Sequence, residues 1–415
     1  MAGSTNTLAS PVIVFAGVGD GVTDDTPALN AAMATLANGR GGTILFDAKT
    51  YLFASTIRPP YVDDATYPQM KPLKFQGSGP HWSGSSSGIT PGGTPIIGGT
   101  TFDMRGGNAY GKIQLRGLGV FAADGITFTN LGTPDVYPMI YTTNTTLILT
   151  HNCFLGSSTL SGVSCNQDAI VMGGTTAVIS NAETAAFQGY GTVIDTNYFD
   201  HIQRAVYGRV YCNSSVIRNN TVWIESGSNL AGGACIEING YSGASDYAEG
   251  NVIDGNLIEM YHYTYAISLV WAKQNVVVGN SGWDGSAQNN AVVYCENSAY
   301  QNYIYGAVSP PSIPYFLEPA VGTNGNTYIG TDTSAKNGNS YFGEMGTTIF
   351  TGPIGTWSTT VAALGAWGTK APTDSIAFAS NGRKSGEGAG LGTGCPVWYD
   401  GTNWRTFYDN SIAAA

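Results

Sequence analysis

The chain has 415 residues, of which only 11% are charged, with 57 glycines, 24 tyrosines and a formal net charge of −11. That length suits one long solenoid plus a small terminal module, and its polarity comes from Ser, Thr, Asn and Tyr, as in an extracellular or virion protein built of strands and tight turns. The acidic balance, with no basic patch, argues against a nucleic-acid partner, and no apolar run is long enough for membrane insertion.

The first residues, Met1–Asn6, carry neither a basic region nor a long apolar core, so no signal peptide is expected. Val12–Phe15 reads as a strand. The next segment reads as an amphipathic helix, with Thr26 as N-cap, Pro27 at the first helical position, and apolar Leu29, Ala32, Met33 and Leu36 on one face. Gly39 is expected to end it. Strands follow at Thr43–Phe46 and Tyr51–Phe53, and the helix is placed to close the open end of a solenoid. Asp24 and Asp25 are read as acids favoured at a helix N-terminus, not as metal ligands. No metal and no cofactor are expected.

Residues 61–111 are rich in Pro, Gly, Ser and Thr and read as a long excursion from the first coils. Beyond them a phrase recurs: Val193-Ile194-Asp195-Thr196-Asn197, Val216-Ile217-Arg218-Asn219-Asn220, Val252-Ile253-Asp254-Gly255-Asn256 and Val276-Val277-Val278-Gly279-Asn280. A weaker copy ends at Asn152, and the closing asparagines lie 45, 23, 36 and 24 residues apart. A fixed minimum period with additions is the pattern of a solenoid. Each phrase is followed by a second apolar run, such as Ala205-Val206-Tyr207 or Ala266-Ile267-Ser268-Leu269. Short strands in turns of about 23 residues predict an all-β fold, a right-handed parallel β-helix. Asn at the bend is expected for its tolerance of left-handed backbone and for its amide, which stacked coil on coil would form an internal ladder.

Cys235 and Cys295 lie in apolar runs and read as small core residues. After residue 331 the texture changes. Pro396–Phe407 reads as a hairpin around Asp400-Gly401, and its Trp and Tyr residues are expected to be exposed and to want a partner surface. The expected organisation is a cap and first strands over 1–60, the β-helix over 61–330, and a C-terminal oligomerisation or capping module over 331–415.

The run Gly19-Asp20-Gly21-Val22-Thr23-Asp24-Asp25-Thr26-Pro27-Ala28-Leu29, followed by Gly41-Gly42-Thr43-Ile44-Leu45-Phe46, resembles the N-terminal cap of the pectate-lyase-like right-handed β-helix superfamily. That superfamily includes polygalacturonases, epimerases and bacteriophage tailspike and tail-fibre depolymerases. The resemblance implies a single-stranded parallel β-helix and a polysaccharide partner. The C-terminal segment resembles those of phage tail proteins, which implies a homotrimer among other virion tail proteins. Of the polygalacturonase signature only Asn166-Gln167-Asp168 has a counterpart, so the resemblance assigns no catalytic residue.

Aligning the coils on their bend asparagines locates the chemistry. Three residues past each Asn, alternation predicts an outward column of Leu155, Asp200, Trp223, Glu259 and Trp283, with Ile202, Glu225 and Tyr261 two residues further on. Rings stack on apolar sugar faces, and carboxylates bond hydroxyls or exchange protons. Asp200, Glu225 and Glu259 are the candidate catalytic acids. Asp200 and Glu259, two coils apart, would sit about 10 Å apart at the backbone, within side-chain reach of the roughly 6.5–9.5 Å of an inverting glycosidase. Trp223, Trp283 and Tyr261 are candidate substrate-binding residues. A second column of Val171, Tyr207, Glu237, Ser268 and Tyr294 adds Tyr207 and Glu237, with Arg209 placed to pair with Glu237 or meet an acidic sugar. Inserted loops including 226–233 and 240–250 are expected to border the groove.

The function expected is a tailspike or tail-fibre-like protein, in a virion tail or outside the cell, that binds and depolymerises bacterial surface polysaccharide, by hydrolysis rather than elimination. The alternatives are a non-enzymatic receptor-binding or structural virion fibre, and a secreted polysaccharide lyase or epimerase.

Overall fold

A computed structural model describes residues 10–37, 41–59, 72–80, 99–107, 111–116, 119–130, 136–143, 145–156, 167–173, 189–209, 212–223, 233–240, 247–260, 263–283, 291–296, 299–305, 316–317, 326–329, 358–367 and 376–414. The chain winds as a right-handed single-stranded parallel β-helix with three long sheets. Sheet 1 has 11 strands and includes Val193–Asp195, Val216–Arg218, Val252–Asp254 and Val276–Val278. Sheet 2 has 9 and includes Tyr198–Asp200, Thr221–Trp223, Leu257–Glu259 and Ser281–Trp283. Sheet 3 has 8 and includes Asp168–Met172, Arg204–Gly208, Ala234–Asn239, Tyr265–Val270 and Ala291–Cys295. The central coils run sheet 1, sheet 2, sheet 3.

The repeated asparagine makes the bend between sheets 1 and 2. Asn152, Asn197, Asn220, Asn256 and Asn280 are all buried. The Oδ1 of each of the last four accepts from the backbone N–H and the Nδ2 of the asparagine one coil earlier, at 2.8–3.1 Å, and that of Asn152 accepts from Ile126 N at 3.1 Å. Each Nδ2 of the last four also donates to a carbonyl of an earlier coil, as Asn220 does to Ile194 O at 3.0 Å. Buried backbone groups at the bends are thereby satisfied where the strands cannot do it.

The left-handed backbone expected of these asparagines falls one residue earlier. His151, Thr196, Asn219, Gly255 and Gly279 carry φ of 51°, 56°, 54°, 61° and 65°. The turn divides its labour: the preceding residue supplies the conformation, and the asparagine supplies the amide.

A second ladder, not anticipated from the sequence, lines the bend into sheet 1. Asn251, Asn275, Asn302 and Asn326 repeat the same bonds at 2.8–3.0 Å. Here too a left-handed residue comes first at Gly250, Gln274 and Gln301. Two-residue strands pair just before this bend, Gly189–Tyr190 with Cys212–Asn213 and Ala248–Glu249 with Ala272–Lys273.

The interior is filled by inward side chains stacked coil on coil, one from each short strand of sheet 2 and two from strands of sheet 3 such as Ile236 and Ile238. Phe128, Phe154 and Phe199 stack at 5.0 and 4.9 Å, and Val222 and Ile258 continue the row. Cys235 and Cys295 are buried in this core. Near the N-terminal end the core turns aromatic, with Phe15, Phe46, Tyr51, Phe75 and Phe102 in edge contacts. Helix α1, Thr26–Ala37, buries Leu29, Met33 and Leu36 in the same core and so covers the open end.

Thr26 is the first helical residue and not the cap, because the Asp25 carbonyl accepts the first helical bond, from Leu29 N at 3.0 Å. Asp24 accepts from Thr26 and Ala54, and Asp25 from Val18 and Gly19, so both carboxylates tie the entry loop to the helix start. The expected terminator, Gly39, lies outside the described residues. Neither α1 nor the second helix, Val361–Trp367, is long and apolar enough to cross a membrane.

The C-terminal residues form a four-stranded sheet with its own core of Leu364, Ala377, Ala379, Cys395, Val397, Tyr399 and Trp404. The expected hairpin pairs Val397 with Thr406 and Tyr399 with Trp404 around Asp400, whose Oδ1 accepts from Thr402 N and Asn403 N. The expectation that its Trp and Tyr face outward is corrected. Trp404 and Tyr399 are buried, because antiparallel pairing turns both onto the module's inner face, while Trp398, which alternation turns the other way from Tyr399, stays half-buried. The exposed rings are Phe407 and Tyr408, just beyond the hairpin.

Candidate functional site

Sheet 2 carries the first column in register. Leu155 pairs with Asp200, Asp200 with Trp223, and Glu259 with Trp283, while Val222 paired with Ile258 sets Glu259 beside Trp223. The side chains do not all project as alternation predicts. The Trp223 and Trp283 rings come from coils two apart, about 10 Å at the backbone, yet their centroids lie 5.2 Å apart. The two rings lean together across the coil between them, which is the coil of Glu259. Trp223 remains 38% exposed, whereas Glu259 is 6% exposed. The expected open carboxylate is therefore covered.

Asp200 is half-buried at the end of its strand, and His201 Nδ1 lies 2.6 Å from its Oδ1. His201 holds a left-handed φ of 51°, which turns the chain sharply from sheet 2 into sheet 3. Ile202, expected to face outward, is instead buried for this reason. Its carbonyl accepts from the Tyr263 hydroxyl, two coils on, at 3.1 Å. His201, Ile202 and Gln203 are the whole connection on this coil, between the strands Tyr198–Asp200 and Arg204–Gly208. Glu225 and Tyr261 lie outside the described residues, as do most of the loops expected to border the groove.

Sheet 3 carries the second column, Val171, Tyr207, Glu237, Ser268 and Tyr294, also in register. Val171 and Ser268 are buried, and Tyr207, Glu237 and Tyr294 are half-buried. The partner of Glu237 is Arg204, at 3.0 Å, and not Arg209. Arg204 starts the strand between those of Asp168 and Glu237. It bonds Asp168 through Nε and Nη2, both at 2.8 Å, and Glu237 through Nη1. Burial works against its charge, but the Asp168 and Glu237 carboxylates outweigh that and hold the guanidinium above its usual range. Arg204 and Arg209 lie over the Tyr207 ring at 3.7 and 4.6 Å. Arg209 keeps a buried Nε that has no partner among the described residues. The sequence signal for Arg204 was its place opposite Asp168 at a strand start, and the column count, begun at Tyr207, passed over it.

Beside this triad, Tyr265 and Tyr294 stack at 4.2 Å and 10°. Rings, an Arg held between two acids, and Asp200 are thus gathered along one flank of sheets 2 and 3. Among the described residues no group of three or more His, Cys, Asp and Glu side chains is arranged to hold a metal ion.

No family model matches the chain, and no curated protein matches it in sequence. Solved structures with a similar winding include a surface adhesin of Streptococcus pneumoniae, at 13% identity and TM-score 0.46, covering 79% of this chain and 80% of that one. The catalytic unit of an α-1,3-glucanase from Streptomyces thermodiastaticus aligns at 12% identity and TM-score 0.44, over 78% of this chain and 60% of the other. A tailspike double mutant of E. coli bacteriophage HK620, in complex with a pentasaccharide, aligns at 13% identity and TM-score 0.42, over 76% and 64%. The fold assignment rests on this chain's own sheets and ladders.

Proposed function

We propose that this protein binds bacterial surface or extracellular polysaccharide along the flank of sheets 2 and 3, with Trp223 and Trp283 as the stacking surface and Tyr207, Glu237, Arg209 and Tyr261 along its border. The observation that carries the reading is the pair of indole rings converging to 5.2 Å beside Asp200, on a chain with few charges. The rings are tilted by 60° to one another, so together they offer an angled apolar surface to a sugar's apolar face, and the neighbouring Asp200 offers acceptors to its hydroxyls.

The finer reading is hydrolysis. Asp200 and Glu259, two coils apart, act as the acid and base on either side of a glycosidic bond, and Glu225 is the third candidate. Incubating the protein with a panel of bacterial capsular and O-chain polysaccharides, and measuring new reducing ends, tests it. Cleavage abolished by Asp200→Asn and by Glu259→Gln supports hydrolysis. Unsaturated products absorbing in the ultraviolet would replace it with elimination.

One observation favours a second reading, a receptor-binding fibre without cleavage. Glu259 is covered, and Asp168 and Glu237 are held by Arg204. That reading expects glycan binding with no new reducing ends, and binding unchanged in Asp200→Asn. In either case the place of action proposed is a virion tail or the cell exterior, and the assembly a homotrimer.

A further inference from the structure

Among the described residues of the coils, eight non-glycine residues have left-handed backbone. Six of them, His151, Thr196, Ser214, Asn219, Gln274 and Gln301, immediately precede a residue whose backbone N–H bonds to a ladder asparagine. The fold requires that conformation there. Two stand outside this pattern. One is His201, beside Asp200. The other is Trp271, with φ 48°. Both stand at corners, His201 leaving sheet 2 and Trp271 leaving sheet 3, but a bulky side chain seldom tolerates such a backbone, and a tryptophan held in it directs attention to function.

Trp271 lies on the ridge where sheet 3 turns toward sheet 1, across sheet 3 from the sheet 2 wall. It is half-buried and stands one coil from Tyr247, the residues being neighbours through the pairing of Ala248 with Ala272. The Tyr247 and Trp271 rings lie 6.1 Å apart and tilted by 37°, and Tyr300 from the next coil meets Tyr247 edge-on at 5.0 Å. Lys273 Nζ sits 5.0 Å from the Tyr247 ring centre and 2.7 Å from Glu249 Oε2. Three coils thus contribute three rings and one donor–acceptor pair to a single patch. The Lys273–Glu249 pair cancels its own charge, so the patch offers polar atoms without net charge.

We propose that the Tyr247–Trp271–Tyr300 ridge is a second carbohydrate platform that takes an uncharged sugar ring, separate from the sheet 2 wall. The proposal rests on the reading of the protein as polysaccharide-binding. The sugar's apolar face lies against the Trp271 and Tyr247 rings, and its hydroxyls meet Lys273 and Glu249. Two platforms on different flanks of one rod let a chain engage two strands of a polysaccharide, or two points of one, which raises avidity without new contacts at either.

The test is fluorine NMR of protein labelled with 5-fluorotryptophan. There are eight tryptophans, and the Trp223, Trp271 and Trp283 signals are assigned from single Trp→Phe variants. The probes are oligosaccharides cut from uncharged bacterial O-polysaccharides and from acidic capsular polysaccharides. The uncharged probes are expected to shift the Trp271 signal saturably, even in protein carrying Trp223→Ala and Trp283→Ala. Tyr247→Ala should weaken that response at least tenfold. Trp271→Gly, which relieves the left-handed backbone, should keep or raise the melting temperature while abolishing ridge binding. Shifts at Trp223 and Trp283 with none at Trp271 would overturn the ridge and leave the wall standing. A Trp271 response to acidic probes alone would overturn the uncharged class. A fall in melting temperature in Trp271→Gly, with ridge binding unchanged, would make Trp271 a packing residue. Silence at all three positions would overturn both platforms.

Discussion

At the scale of single residues, the coil is held by side chains that answer backbone. Asn220 donates to Ile194 O and to Asn256 Oδ1, and accepts from Asn197. Asn220→Ala leaves several buried polar groups unmatched, each costing about 1–3 kcal/mol, so a loss of roughly 3 kcal/mol or more in urea unfolding is expected. Arg204 is the second such residue. Arg204→Ala strands two poorly exposed carboxylates and is expected to cost about 3–5 kcal/mol, whereas replacing the whole triad with apolar residues should cost far less.

Asp195 adds a pH dependence. Burial works against its charge, but bonds from Arg218, Thr196 and Asn219 outweigh that and hold its carboxyl below the ordinary 3.8. A depressed carboxylate stabilises the fold fully above the unfolded value, and the contribution drains as pH falls through the lower folded value. Acid unfolding should therefore steepen below pH 3.8, and Asp195→Asn should flatten that limb. Unchanged acid limbs would remove Asp195 from the account.

At the scale of elements, the first ladder was legible because the same residue closes four phrases of β-branched runs. The second was not, since the strands before Asn251 and Asn275 are two residues long and give no alternation to count. Register was legible on sheet 2, but exposure was not. Alternation says that Glu259 faces out, and it cannot say that rings from the coils above and below meet over it. For the same reason Ile202 was misread, because a single left-handed residue at His201 ends the alternation. The ion pair of Glu237 was misassigned because two arginines flank Tyr207 on the preceding coil, and spacing alone does not say that Arg204 at the strand start, not Arg209 past its end, reaches Glu237. The thiols belong to this scale as well. Burial pushes Cys212 and Cys235 up to about 12, so in the folded protein they should resist thiol reagents at pH 8, and react only on unfolding.

At the scale of the whole molecule, the outer face of sheet 1 bears on assembly. Ile148, Val193, Val216, Val252, Val276 and Tyr303 stand in one outward column, each paired with the next. Ile148 and Tyr303 are exposed and the valines half-buried, so the column is a straight apolar stripe across six coils. It supports the proposed homotrimer, with sheets 2 and 3 left free for glycan. Light scattering should give three chains for the wild type and one for a Val216→Lys, Val252→Lys variant, and an unchanged mass in the variant would take sheet 1 out of the interface.

The most direct measurement is equilibrium binding of a bacterial polysaccharide from the panel to the wild type and to a Trp223→Ala, Trp283→Ala variant of unchanged melting temperature. A loss of at least tenfold in affinity is predicted. Equal affinity of the two proteins for every polysaccharide bound would contradict the assignment of that wall to sugar.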